Sequence, residues 1–587
     1  MTAPPPQFDP DTPSQPWLAD VRAAVAVTMI SVPQGVAYAP IAGLPPAMGL
    51  YAGALPAIVG SLFRSSRHVV TGPTNAISLL VGTSVAAQAP DPVSAAATLA
   101  LLVGLFQVGA GVLRLGAVAD YISSSVVLGY ITGAGVLIGV GQLANVTRTS
   151  GGAGDIATKL MAWASTVPSA HPISVGIALG SAALILALRW FGAPRGSGAI
   201  ATIGLGMAAA RLFSLDEHGV VLVRDLAAIP RGLPPLVIPD LSGAGGLIPV
   251  AVAATVLSLV ESSSVARSIS ARTGQRLDIG REFIGQGLAN VAAAFSGGYP
   301  VSGSLSRSAL NERVGAQSRA AGMLTGVFML VVLVALGPLV NWTPIPSLAG
   351  LLLVVAVDLV DVAKIRTVLR SGMGDVAAFA GTVIGTWTLP LDQAIYVGVG
   401  ISIVLFLQRA RLLVGRELMI DTDLHLREAE LDVPADPLRR CDKIRILHIE
   451  GPLFFGAAAE LDDLLRRALA DPKIEVLIVR LKRAQGLDLT TAAVLAETHE
   501  RMREAGRTLL LVGLRPPMVE RLAQMGLAET FGADLFPTEP GWFVAMNCAI
   551  ERALELIGDG HGDRCPLVEY RDHRRERGRV DFGNPLP

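Results

Sequence analysis

The sequence predicts a polytopic α-helical membrane protein of fourteen segments, arranged as two inverted seven-segment repeats and followed by a cytoplasmic α/β domain. Three observations carry this. The 587 residues are 51% hydrophobic and only 16% charged, with a mean hydropathy of +0.53, whereas soluble domains carry about 25% charged residues. Apolar stretches long enough to cross a ~30 Å hydrocarbon core recur up to about residue 411. After Arg416 the texture turns to charged, alternating strand and helix patterns. This composition excludes a purely soluble enzyme, a disordered scaffold and a coiled coil. The formal net charge of −1 exerts no global pull toward nucleic acid.

Residues 1–16 read as disordered and lack the basic and apolar regions of a signal peptide, so no cleavage is expected. Segments begin near residues 18, 46, 73, 95, 119, 172 and 197 in repeat one (about 17–235). In repeat two (about 245–411) they begin near 245, 282, 302, 316, 346, 375 and 391. The third and tenth are too short to span alone. Small residues abundant within the segments suit close helix packing in lipid. An even count puts both termini on one side. Arginines cluster in the loops that share it (Arg64, Arg67, Arg114, Arg189, Arg267, Arg272, Arg276, Arg281), while the opposite loops hold few (Arg148, Arg224, Arg231). By the positive-inside rule both termini are cytoplasmic.

Beyond the transport domain (17–411), residues 412–440 read as a linker and 441–557 as a small α/β domain. Strands are expected at 444–449, 475–481 and 508–514, and helices at 456–470, 489–506, 516–526 and 545–557. The tail 558–587 is charged and Gly/Pro-punctuated, hence expected to be disordered. Three cysteines, all in the last third, form no disulfide framework and fit a reducing compartment.

A shift of 227 residues aligns two unusual places at once: Gln34 of SVPQGVA falls on Glu261 of SLVESSS, and Pro73 of GPTNAIS on Pro300 of YPVSGSL. Odd-numbered halves give opposed orientation, the architecture of secondary transporters whose site lies where broken helices meet at mid-membrane. A helix starting there leaves unpaired N–H groups and roughly half a positive charge. Two such ends facing one another form an anion site. Asn75, Ala76 and Ser78 stand at one start. Ser302, Gly303, Ser304, Ser306 and the permanent cation Arg307 stand at the other. Gln34 and Tyr38 lie on a Pro-interrupted segment and supply polar and aromatic contact. Glu261, a carboxylate inside a span, costs roughly 2.5–3.5 kcal/mol and so is a candidate for ion coupling. Plainer roles compete with these: serines as small packing residues, Asn75 as a helix cap, and Glu261 with Arg307 as a structural ion pair.

These residues resemble the bacterial sulfate permease (SulP) family, the prokaryotic branch of the solute carrier family 26 anion transporters. The resemblance rests on VPQGVAYAPIAGLPPAMGLYAG (32–53), TGPTNAISLLVG (71–82) and GSLSRSALNERVGAQSRAAG (303–322), and runs from about Trp17 to Ile557. The cytoplasmic domain is similar to the STAS module. The resemblance implies core and gate domains, elevator-like movement of the core, a homodimer, and an anion site at Gln34, Tyr38, Asn75, Ala76, Glu261, Ser302, Gly303 and Arg307. It also implies coupling to H⁺ or, in the second place, Na⁺. No metal or organic cofactor is expected. In the STAS loop GLDLTT (486–491), Asp488 and Thr490 are weak regulatory candidates, with a helix cap as the plainer role.

The leading expectation is therefore a proton-coupled symporter of a small anion, a dicarboxylate such as fumarate, or sulfate or bicarbonate, in the inner membrane. A nucleobase permease of the same fold, or an uncoupled anion channel or exchanger, is the alternative. With no P-loop and no nucleophile triad, an enzyme is not expected.

Overall fold

Pro at the first turn and Asp or Ser caps start most of the membrane helices, since a first turn needs no Pro N–H and its free amides want acceptors. Asp91, for example, accepts from the amides of Val93 and Ser94. The computed structural model describes residues 16–86, 90–116, 123–149, 156–193, 197–431, 439–538, 544–558 and 565–581. The expected disorder of 1–16 lies, Pro16 excepted, outside the described residues.

The first half runs α1 (Pro16–Ile41), α2 (Pro46–Phe63), β1 (Thr71–Gly72), α3 (Asn75–Val81, continued as a wider helical turn through Ala86), α4 (Pro92–Val112), α5 (Ser124–Thr147), α6 (Ile156–Thr166), α7 (Pro172–Trp190), α8 (Ser197–Leu212) and α9 (Val223–Leu226). The second runs α10 (Ala244–Thr273), α11 (Ile279–Phe295), β2 (Ser302–Gly303), α12 (Leu305–Arg313), α13 (Ala320–Val340), α14 (Ile345–Leu359), α15 (Val362–Leu369), α16 (Met373–Thr388) and α17 (Leu391–Ala410). Fourteen of these coincide with the expected segments; α6, α9 and α15 are short connecting helices. Eight of the described helices are long and apolar enough to cross a membrane.

Packing partners exchange under the pairing of the 227-residue shift. Helix α4 lies on α11 as α13 lies on α2, α1 on α13 as α10 on α4, and α5 on α16 as α14 on α7. Glycines set how closely the first pair approaches. A Cβ on Gly104 would sit 2.8 Å from the Gly287 carbonyl oxygen, and one on Gly287 would sit 2.7 Å from that of Gly104. Seven residues on, a Cβ on Gly111 would meet the Gly280 oxygen at 2.7 Å. Backbones touch there, which is how van der Waals packing holds helices together in lipid.

Contacts divide the chain near Ile403 into two units. The second holds a six-stranded sheet of order β4-β3-β5-β6-β7-β8, formed by β3 (Val414–Ile420), β4 (Leu426–Glu430), β5 (Ile444–Pro452), β6 (Val476–Gln485), β7 (Thr508–Leu514) and β8 (Leu535–Pro537). Strands β5 to β8 are parallel, and β3 is antiparallel to both β4 and β5. The helices are α18 (Ala458–Ala468), α19 (Leu489–Glu504), α20 (Pro516–Gln524), α21 (Ala528–Phe531), α22 (Val544–Ile557) and α23 (Pro566–Asp581). Alternate strand residues feed two cores. Leu447, Leu477, Leu509 and Leu511 pack with Leu464 and Leu495 on one face, while Ile446, Ile478 and Leu510 pack with Ile550 and Leu554 on the other. Strands covered on both faces explain the continuous apolar runs.

Two expectations about this unit need correction. The linker 412–440 contributes β3 and β4 to the sheet. Its charges disguise it, yet Glu417 is buried because it pairs with Arg445 at 3.3 Å. The tail expected to be disordered folds over 566–581 as α23. Among the residues whose side chains are described, Leu567, Val568 and Tyr570 fall on the face that packs into the second core, while Arg574 and Arg575 are exposed.

Candidate functional site

Two backbone breaks meet at the centre of the first unit. β1 and β2 pair antiparallel, Thr71 opposite Gly303 and Gly72 opposite Ser302. Each leads straight into a helix start, α3 behind Thr74 and α12 behind Ser304. First-turn amides lack helical acceptors. Here the Ala76 N–H is taken by Asn75 Oδ1 at 2.9 Å, and the Arg307 N–H by Ser304 Oγ at 3.5 Å. Among the described residues, that leaves the amides of Asn75 and Ile77 on one side and of Leu305 and Ser306 on the other as donors without a partner. Leu305 is 52% exposed at the very start of its helix, so this end opens to space rather than to packed protein.

Arg307 is 1% exposed and crosses from the second repeat to the first: its Nη2 donates to the Pro73 carbonyl at 2.6 Å. A Cβ on Gly72 would collide with its Nη1, so glycine leaves the room that the guanidinium occupies there. The Arg307 Nε has no partner in the structure. The cation thus stands behind both helix starts and adds a fixed positive charge to their dipoles. Glu261, half-buried on α10, accepts from Thr74 Oγ1 at 3.3 Å, which places a carboxylate at the cap of α3. No ion pair within 4 Å joins Glu261 and Arg307 among the described residues, and the structural-pair role is corrected on that point. Each charge is instead held by the first repeat's Pro73–Thr74 turn, Arg307 by the Pro73 carbonyl and Glu261 by the Thr74 hydroxyl.

The remaining sequence candidates divide. Gln34 Nε2 lies 3.4 Å from Ser306 Oγ and its Oε1 is buried without a partner, while Ser306 also touches Ser304 at 3.2 Å. These three line the α12 start. Tyr38, on the helix that carries Gln34, is buried. Ser302 and Gly303 are turned away. The Ser302 hydroxyl lies 3.3 Å from the Ser258 carbonyl and 3.5 Å from Ser262 Oγ, and the Gly303 N–H donates to Ser262 Oγ at 2.8 Å. Their polar groups build the crossing instead of presenting donors to a solute. Ser78 is likewise engaged, with the Tyr299 hydroxyl at 2.9 Å.

Sequence reasoning missed the lattice beneath the crossing. Gln286 Nε2 donates to the Val301 carbonyl at 2.9 Å, Asn290 Oδ1 accepts from the Val301 N–H at 2.7 Å, and Asn290 Nδ2 donates to Gln107 Oε1 at 2.8 Å. Arg64, paired with Glu282 at 3.4 Å, also reaches Thr71 and Gln286. A signal existed: Gln286 and Asn290 are amides one turn apart in the apolar stretch of α11 that follows Arg281 and Glu282, where an unpartnered amide is expensive.

In the second unit Asp488 caps α19, accepting from the Thr491 N–H at 2.9 Å, and Thr490 beside it is exposed. Glu428, His448 and Glu450 bring their ligand atoms within 4.8 Å of one another. Arg416 bonds Glu428 at 2.6 Å and Arg483 bonds Glu450, so both carboxylates are neutralised by guanidinium groups without a metal.

Comparison with known proteins agrees with this geometry. Residues 17–382 match the model of the sulfate permease family, and residues 437–540 that of the STAS domain. The chain belongs to the sulfate permease family. It is an anion transporter, not an enzyme. A probable sulfate transporter of Mycobacterium tuberculosis is 29% identical over 546 residues, spanning 89% of this chain and 94% of that protein. The murine Solute Carrier 26 family member A9 anion transporter, solved in the inward-facing state, superposes with a TM-score of 0.82 at 19% identity, covering 94% of this sulfate permease homologue and 92% of that chain. The transmembrane domain of a cyanobacterial bicarbonate transporter, BicA, matches with a TM-score of 0.57 at 21% identity over 66% of this chain and 98% of its own. At those identities the two structures speak for the fold.

Proposed function

We propose that this protein is a proton-coupled symporter of a small anion, with a C4-dicarboxylate such as fumarate preferred over sulfate or bicarbonate. It works in the cell inner membrane as a homodimer with both termini cytoplasmic. The observation that carries the reading is the Thr74–Glu261 hydrogen bond at the cap of α3. A carboxylate beside an anion site repels the anion, and unit charges a few ångström apart interact by several kcal/mol in a partly buried setting. Protonating Glu261 removes that repulsion and leaves two helix starts and Arg307 unopposed. Anion and proton then favour one another's binding, and by linkage the preference is reciprocal. The small anion itself is held by the free amides of Asn75, Ile77, Leu305 and Ser306, with Gln34, Ser304 and Ser306 adding side-chain donors.

The glycine-to-glycine crossings support movement of α1–α4 with α10–α13 as one rigid body past the remaining helices, an elevator-like exchange of access. The positive-inside distribution of arginine supports the orientation.

Uptake of radiolabelled fumarate, sulfate and bicarbonate into proteoliposomes, under imposed pH or sodium gradients, tests this. A pH gradient, inside alkaline, should drive accumulation of at least one anion, and Glu261→Gln should remove that dependence while leaving downhill flux. Accumulation driven by sodium alone, or unchanged proton dependence in Glu261→Gln, overturns the coupling. Uptake of uracil or xanthine in competition would return the nucleobase reading.

A further inference from the structure

Cys441 and Cys565 lie 124 positions apart in sequence, yet their sulfurs are 3.1 Å from one another. Both are buried, at 6% and 4% exposure. Cys441 precedes β5; Cys565 immediately precedes α23. A disulfide bond is about 2.05 Å long, so closing it asks for a shift of roughly 1 Å. Among the described residues, helix α23 is also held by Leu567, Val568 and Tyr570 in the apolar seam, by the Tyr570 hydroxyl on Asn547 at 3.1 Å, by Arg574 on Asn547 at 3.5 Å, by Arg439 on Glu569 at 2.8 Å and by Arg575 on Glu551 at 3.1 Å. Cys441 and Leu567 also line a small cleft, together with Glu417, Arg439 and Arg440.

We infer that Cys441 and Cys565 are a redox clasp: an oxidised low-molecular-weight disulfide converts them to an intrachain disulfide that locks α23 onto the STAS sheet. Glutathione disulfide is an oxidant of that class. The Cys441 thiolate attacks one sulfur of the oxidant, its S–S bond breaks, and one thiolate leaves. Cys565 then attacks the Cys441 sulfur of the mixed disulfide and releases the second. Two cysteine thiols are oxidised and one disulfide is reduced to two thiols, which take up the two cysteine protons. The order follows from the hydrogen bond: Cys565 donates to Cys441 and so lowers the Cys441 thiol pKa, while its own rises. Thiolate, not thiol, is the nucleophile. In a reducing compartment the pair stays open, and it closes when the disulfide poise rises.

The test uses the full chain in detergent, treated with glutathione disulfide, then alkylated under denaturing conditions and digested for mass spectrometry. The expected result is a Cys441–Cys565 cross-linked peptide with one alkylated thiol per chain, at the exposed Cys548, restored to three by dithiothreitol. Release of the arginine-rich tail by trypsin should slow at least tenfold in the oxidised protein. In Cys441→Ser, and separately in Cys565→Ser, that slowing should vanish. Three alkylated thiols after oxidation, a stable glutathione adduct without the cross-link, or equal trypsin release in both redox states would each overturn the clasp.

Discussion

Arg307 can reach the Pro73 carbonyl because the residue opposite it has no side chain. A Cβ at position 72 would overlap Nη1, so the guanidinium must shift from that carbonyl or the β1–β2 pairing must open. Gly72→Ala should therefore lower anion uptake at least tenfold with folded protein still recoverable, read as uptake normalised to the monodisperse fraction on size exclusion. Arg307→Ala leaves the Pro73 carbonyl buried and unpaired, which costs about 1–3 kcal/mol, and it also removes the fixed charge. Uptake of every anion should fall together, by two orders of magnitude or more. At this scale the sequence was legible in parts. Proline followed by small polar residues exposed both helix starts, and an acid within a span marked Glu261. It did not distinguish Ser306, which lines the opening, from Ser302, whose hydroxyl bonds Ser258 and Ser262. That difference is one of side-chain direction at a strand's last pleat, and no composition encodes it.

Elements show where backbone geometry decides stability. Gly104 and Gly287 hold α4 against α11 at backbone contact, so a side chain at either is an overpacking substitution, typically costing 1–3 kcal/mol. Gly287→Leu should lower the thermal midpoint of the detergent-solubilised chain by several degrees. Gly141, with nothing within 4 Å of its would-be Cβ, should tolerate alanine and serves as the control. In the second unit, Asp488→Ala removes the Oδ1 acceptor that closes the α19 cap on Thr491, a loss of about 1 kcal/mol. The same substitution frees the Phe455 N–H that Asp488 Oδ2 also accepts from. Long apolar runs made the membrane helices readable, and Leu- and Val-rich runs the three central strands. β4 and α23 were hidden because an edge strand and a surface helix bury only one side, and β3 because Arg416 and Glu417 interrupt its apolar run. Their charges outnumber the few residues, such as Leu418, Ile420 and Leu567, that decide the fold.

Across the whole molecule the 227-residue shift was visible from two coincident motifs, and the exchange of packing partners extends it to whole helices. The second unit carries its own pH response. Arg483 holds the Glu450 carboxyl below its ordinary range, and the His425 amide followed by Arg427 does the same for Asp421. A carboxylate with a depressed folded value contributes stability above its unfolded value, about 4, and loses it as pH falls through the folded one. Calorimetry of the full chain should show the transition of this unit steady above about pH 5 and moving to lower temperature below about pH 4. Glu450→Gln should weaken that shift.

The bond between Arg307 and Pro73 has a consequence for biosynthesis. Its partners are separated by 234 residues, which a ribosome adding roughly 5–20 residues per second needs about 10–50 s to make. Through that interval the Pro73 carbonyl and the edge of β1 sit in a nascent half-protein with nothing to satisfy them. A chain arrested before residue 300 should accordingly remain with the insertion machinery or be degraded, and the two halves supplied as separate polypeptides should rescue each other only when made together.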